Sequence, residues 1–256
     1  MAGIQLDGVF SDPFMPFERA SDGVLAIPTI RWFQAAPSLV DIEDGKIVRW
    51  HDRAGSGATL EQADPARRAL FVEDAPNMGG NAAHFTPASS AESIQYTIKN
   101  SGFNAGAAFS VSAVALFSQS SSQSTNKFLF GVSGSPNFYM GRTAANVLRM
   151  HCGGSGVGNA EVSIDETKWH SSIGSFNGAD RVNLSVDGSA AVSSNSATVP
   201  APTGDYVFSG IASGGGVSWE GYVCDIRVLT IDLFHASNEA HLAALRAFDS
   251  SVYGLG

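Results

Sequence analysis

The side chains that could do chemistry in this sequence are few and poorly spaced for it. His51, His84, His151, His170, His235 and His241 are scattered, without the short ligand pairs that a metal centre uses, so each is expected as a surface or packed residue. Cys152 and Cys224 lie far apart and are expected as small buried hydrophobes of a reducing cytoplasm; a disulfide between them is left open. The glycine run "GGSGVG" (Gly153 to Gly158) is followed by no helix that would hold a pyrophosphate, so it reads as a plain loop. There is no GxxxxGK phosphate cradle and no GxSxG nucleophile elbow. Tyr139 and Trp219 stand beside glycine-rich loops and are the candidates for stacking on a sugar ring. The alternative is a turn aromatic half covered by its neighbours.

Elements able to position such residues are short strands. Val182, Leu184 and Val186 alternate with polar residues in "DRVNLSVDG", which predicts a half-buried strand entering a tight turn. In "ESIQYTI", Ile94, Tyr96 and Ile98 share a face, and "FSVSAVALF" is apolar on both faces, as in a strand covered from two sides. Similar runs recur to the end of the chain, separated by polar connectors such as Ser118 to Asn126 and Ser213 to Ser218. One helix of about three turns is predicted near the end, with Ser237 as cap, Glu239 in its first turn and Leu242, Leu245 and Phe248 as its apolar stripe.

The 256 residues, 44% hydrophobic with 16 Phe, can bury one substantial core. A net charge of −9 argues against a nucleic acid partner. No apolar run approaches the ~18 residues of a membrane span, and the start lacks the basic and apolar regions of a secretory signal. Residues 1–29 differ in character, with Phe10, Phe14 and Phe17 set among Pro13 and Pro16. Proline removes backbone donors and makes poor sheet, so this arm either docks its aromatics on a partner or wraps its own domain.

In order, "WHDRAGSG", "AAHFTP", "FSVSAVALF", "KWHSSIGSF", "RVNLSVDG" and "WEGYVCDIRVLTIDL", followed by "NEAHLAALRAF", resemble the concanavalin A-like lectin/glucanase superfamily in its laminin G-like form. The resemblance implies an all-β, concanavalin A-like jelly-roll β-sandwich over residues 30–256, with one short C-terminal helix and an extended N-terminal arm. Trp169 matches a position that packs inside. Members bind glycans or proteins, whereas glucanases cut polysaccharides with a Glu-x-Asp-x-x-Glu strand motif. That motif is missing, and "DIEDG" and "SIDE" have the wrong spacing, so no enzyme activity is expected. Lectin-like relatives hold calcium through loop carboxylates; Asp41, Glu43, Asp44 and Asp52 are the nearest such cluster, a solvated loop being the other reading. No other cofactor is expected.

Exported laminin G-like domains carry signals, whereas virion proteins of tailed phages and gene transfer agents assemble in the bacterial cytoplasm. By that analogy the expectation is a non-enzymatic virion surface protein of the head spike, decoration or tail fibre type. Its arm would hold it to other virion proteins in a symmetric assembly, and its domain would bind host surface polysaccharide or another fibre protein. A free carbohydrate-binding domain exported without a signal peptide, and a polysaccharide hydrolase, are the competing classes.

Overall fold

Strands of three to nine residues make up most of the described chain. The structure, a computed structural model, describes residues 23–28, 30–86, 94–99, 107–117, 127–132, 135–143, 146–153, 158–195, 197, 206–209 and 218–255. In chain order the strands are β1 (Arg31–Gln34), β2 (Val40–Glu43), β3 (Lys46–His51), β4 (Thr59–Glu61), β5 (Leu70–Val72), β6 (Ala82–Phe85), β7 (Tyr96–Lys99), β8 (Phe109–Phe117) and β9 (Lys127–Val132). They continue as β10 (Ser135–Thr143), β11 (Val147–Cys152), β12 (Asn159–Ser163), β13 (Trp169–Phe176), β14 (Val182–Val186), β15 (Val192–Ser194), β16 (Tyr206–Phe208) and β17 (Gly221–Leu229), followed by helix α1 (Glu239–Tyr253).

All ladders between these strands are antiparallel. One layer runs β17–β8–β13–β14–β15, with β1 and β6 sharing the free edge of β17. The other runs β3–β4–β7–β16–β9–β10–β11–β12 with β2 beside β3. Strand β5 joins β3 to β6, so hydrogen bonding passes from layer to layer. Phe33, Trp50, Phe85, Phe109, Phe130, Met140 and Phe208 fill the space between the layers. The expected sandwich with one C-terminal helix is therefore present.

Two local features explain why the first layer is buried on both faces. The turn after β14 has Asp187 and Gly188 at positive φ, with the Ser189 amide donating to Val186 O at 3.0 Å, the tight hairpin turn that an Asp-Gly pair favours. Its strand is buried throughout rather than half-buried, because Asn183 and Ser185 also lie under cover. Strand β17 carries a one-residue bulge at Cys224, between Val223 and Asp225. Side-chain parity resets there, so Tyr222, Asp225 and Arg227 all face outward while Val223, Ile226 and Val228 face the core.

Helix α1 covers that outer face through Leu245 and Phe248, packed with Val24, Ile27, Trp32 and Ile173. Val24 and Ile27, within the stretch read as arm, are thus part of the domain. The helix is longer than expected at 15 residues. Ser237 is not its cap: it lies in a 3-10 turn over Ala236–Asn238, where it donates its amide to His235 Nδ1. The helix stops at Gly254, whose left-handed φ of 67° returns its amide to Ser250 O.

Beneath the helix, the buried Arg227 guanidinium pairs with Asp225 and Asp249, both at 2.8 Å. Asp225 also accepts from Trp32 Nε1 at 2.7 Å and Tyr253 Oη at 2.6 Å, and Ser171 Oγ donates to Asp249 at 2.5 Å. Burial pushes the Asp225 carboxyl up to about 6 against the pull of Arg227, so at neutral pH it is a carboxylate receiving three donors. Replacing Arg227 with Met would leave two carboxylates buried without their cation. The expected loss is about 3–5 kcal/mol, read from urea unfolding at neutral pH; a loss below about 1 kcal/mol would show that the ion pairs do not hold the helix.

Candidate functional site

At one end of the outer face, past the last turn of α1, the first layer presents a row of neighbouring side chains. Register places His84 opposite Tyr222, Tyr222 opposite Leu116, and Leu116 opposite Trp169. Directly opposed residues share a face, so four strands contribute one side chain each. His84 and Tyr222 are half-buried and stack ring on ring at 4.0 Å and 7°. The rings of Tyr222 and Trp169 are 6.3 Å apart. Trp169 is buried, as expected, and its Nε1 donates to Pro76 O at 2.7 Å, which fixes the indole as a floor.

Above that floor is an open cleft of about 390 Å³. Asn77 and Met78 supply one wall from the β5–β6 connection, Thr167 and Lys168 another from the turn before β13, and Tyr253, Gly254 and Leu255 the third. Asn77, Thr167 and Lys168 are exposed, so amide, hydroxyl and ammonium groups converge on an aromatic base. Such a mixture suits a hydroxyl-rich ligand. Among the described residues the lining contains no carboxylate. Asp165 pairs with Lys168 at 3.1 Å just outside it, and hydrogen bonds from the Thr167 hydroxyl and amide hold its carboxyl down at about 2.

The turn bearing Thr167 and Lys168 is held from behind by His170. Its Nδ1 meets Asp187 Oδ2 at 2.7 Å and its Nε2 meets Asp165 O at 2.7 Å. Both partners are acceptors, which requires a proton on each nitrogen. Burial alone would lower this imidazole; the Asp187 carboxylate and the Asp165 carbonyl outweigh it and raise the histidine above its ordinary value.

The residues singled out from sequence lie elsewhere. Trp219 is fully buried and packs on Phe117 at 4.3 Å, so its ring has no face to offer a sugar. Tyr139, on β10, is also buried, set between Phe128 and His151 with its hydroxyl accepting from Arg149 at 3.1 Å. The four carboxylates considered for calcium are not gathered. Asp41 pairs with Arg49 and His51, Glu43 with Arg68, and Asp44 sits alone in the β2–β3 turn at φ 51°. Asp52 turns inward to accept from the amides of Trp32, Ala54 and Ser56. Among the described residues no three His, Cys, Asp or Glu side chains are grouped to hold a metal ion. Both cysteines are buried and unbridged. Phe10, Phe14 and Phe17 lie outside the described residues. No helix among the described residues is long and apolar enough to cross a membrane.

A laminin G family model, described as the concanavalin A-like lectin/glucanases superfamily, matches residues 90–236, more than half of the chain. No curated protein matches at a significant level. Among solved structures, the binding domain of Paraclostridial Mosquitocidal Protein 1 is similar with a TM-score of 0.54 and 12% identity, over 84% of this chain and 51% of that one. A Trypanosoma rangeli sialidase in complex with sialic acid is similar with a TM-score of 0.56 and 12% identity, over 92% of this chain and 38% of that one. The chain thus spans about half of the first and well under half of the second. Likeness at this identity is a likeness of fold.

The His170 geometry generates a pH dependence with a definite sign. The folded chain binds this proton more tightly than the unfolded chain, so its contribution is complete below the ordinary value of 6.5 and is lost as pH rises through the raised one. His84 and His151, which burial lowers, act below that window. Stability should therefore fall on going from about pH 6.5 toward 9, and His170→Gln should flatten the fall. Urea midpoints across that range test it; an equal fall in the variant would acquit His170.

Proposed function

The chain belongs to the concanavalin A-like lectin/glucanase superfamily, and on that premise we propose that it is a non-catalytic glycan-binding protein. The observation that carries this reading is the aromatic row ending at an open cleft whose lining, among the described residues, holds no carboxylate. Glycoside hydrolysis by the two-carboxylate route needs an acid and a base or nucleophile flanking the scissile bond. Here the one charged side chain in the lining, among the described residues, is Lys168, and the Tyr253 hydroxyl is engaged with Asp225. What the cleft does supply is apolar ring surface with donors and acceptors around it, the pattern by which shallow sites recognise sugars.

The reading extends to the setting in which the domain works. It is a surface component of a phage or gene transfer agent particle, of the head spike, decoration or tail fibre type. Residues 1–22 are the attachment segment, and the cleft takes host surface polysaccharide. Support comes from the aromatic and proline content of that segment, Phe10, Phe14 and Phe17 with Pro13 and Pro16, and from the family resemblance. Val24, buried on the domain, marks the inner limit of the segment.

Tyr222→Ala is expected to weaken glycan binding about tenfold, ~1.4 kcal/mol, with Tm shifted by only a few degrees because the ring is half exposed. Titration calorimetry against bacterial surface polysaccharide checks it, and an unchanged isotherm would remove Tyr222 from the site. Deleting residues 1–22 is expected to abolish cosedimentation with particles assembled without the protein while leaving the domain folded. Particles that still carry the truncated chain would refute the attachment role.

A further inference from the structure

The row has a length as well as a composition. It does not begin at His84: Leu70 of β5 is paired with His84 on the same face, and Leu70 is 38% exposed. From Leu70 through His84, Tyr222 and Leu116 to Trp169 there are four cross-strand steps. Neighbouring strands are about 4.8 Å apart, so the row extends roughly 19 Å across the sheet. Exposure is graded along it, from open Leu70, through half-buried His84 and Tyr222, to the buried indole that floors the cleft. A single sugar seated over Trp169 would leave the stretch from Tyr222 to Leu70 uncovered.

We propose that this row binds the interior of an extended, unbranched glycan chain of about five sugar units lying across the strands, with one unit in the Trp169 cleft and the last over Leu70. The inference rests on the glycan reading above and adds to it the length and direction of the ligand. The strand spacing is close to the advance of one pyranose along an extended chain, so successive units meet successive strands. Each unit sets its apolar C–H face on Leu70, the stacked His84–Tyr222 pair or Trp169, and turns its hydroxyl edges to the Tyr222 hydroxyl and to Asn77, Thr167 and Lys168. Burial lowers the His84 imidazole, so the middle of the row is uncharged at neutral pH. Among the described residues the cleft lining carries no carboxylate, while Glu220 acts on His84 in the middle of the row and Asp165 lies just outside the cleft, so neutral units are favoured over acidic ones.

The test is calorimetry of the full chain with cello-, chito- and laminari-oligosaccharides of increasing length, and with bacterial surface polysaccharide, repeated with Leu70→Thr. That substitution places a β-branched residue, well suited to a strand, at an exposed strand position, and its Tm confirms folding. On a ladder that binds, affinity is expected to climb about tenfold or more between one and five units and then level off. Leu70→Thr should erase most of that gain and leave the single unit unaffected. Should only the polysaccharide bind, a several-fold loss with Leu70→Thr supports the inference and no loss overturns it. Affinity already complete at one unit overturns the chain length and leaves the glycan reading standing. Absence of binding to every ladder and to the polysaccharide overturns both.

Discussion

A guanidinium held in an apolar layer is the constraint from which the rest of this structure follows. Arg227 has no access to water, and a charge in that position is tolerable only if its partners arrive with it. They come from three parts of the chain: Asp225 from the same strand, Asp249 from the helix, and Trp32 and Tyr253 as donors to Asp225. Trp32 and Phe248 also bring their rings to within 5.4 and 5.1 Å of the guanidinium. The helix therefore has one seat on the sheet, set by charge pairing rather than by apolar contact alone, which would tolerate sliding.

That seat decides the geometry of the cleft. Tyr253 is at once a donor to the buried carboxylate and a wall of the cleft, and Gly254 and Leu255 continue from it across the open side. The opposite wall is tied back by His170 to the β14–β15 turn. These two of the three walls are thus anchored by ionic or charge-assisted hydrogen bonds reaching into the body of the fold, while the aromatic base rests on the strand ladder. The polar groups that would touch a ligand are the exposed ends of otherwise committed elements.

The strands were legible because their patterns are local. Alternation in β7, two-faced apolarity in β8, and the Asp-Gly turn reported themselves correctly, the alternation in β14 gave the strand but not the cover on its polar face, and the stripe of α1 appeared at Leu242, Leu245 and Phe248. The site was not legible, for reasons of parity and register. Tyr222 and Arg227 are five positions apart, which in a regular strand puts them on opposite faces; the bulge at Cys224 puts them on one. Nothing in "GYVCDIRVL" announces it. The His84–Tyr222–Leu116–Trp169 row joins four segments distant in sequence, and no pattern within any of them points to the others. Trp219 misled because a glycine-rich neighbour suggests exposure, whereas its own position inserts the ring beside Phe117. The carboxylates near Asp41 were close in sequence, but β2 and β3 direct them to separate cations.

The placement of β17 between β1 and β8 also orders events in time. Trp32 and Asp225, joined by a hydrogen bond, are separated by 193 positions, and both β1 and β6 wait for β17 to supply their edge. A ribosome releasing this chain from its N-terminus exposes Trp32 and Phe33 long before their partners exist. The first layer closes only once β17 has been made, and closure across so long a separation is slow. The nascent chain is therefore a client for whatever shields apolar surface in its cell, and truncation within β17 would leave β8, β1 and β6 each with an open edge.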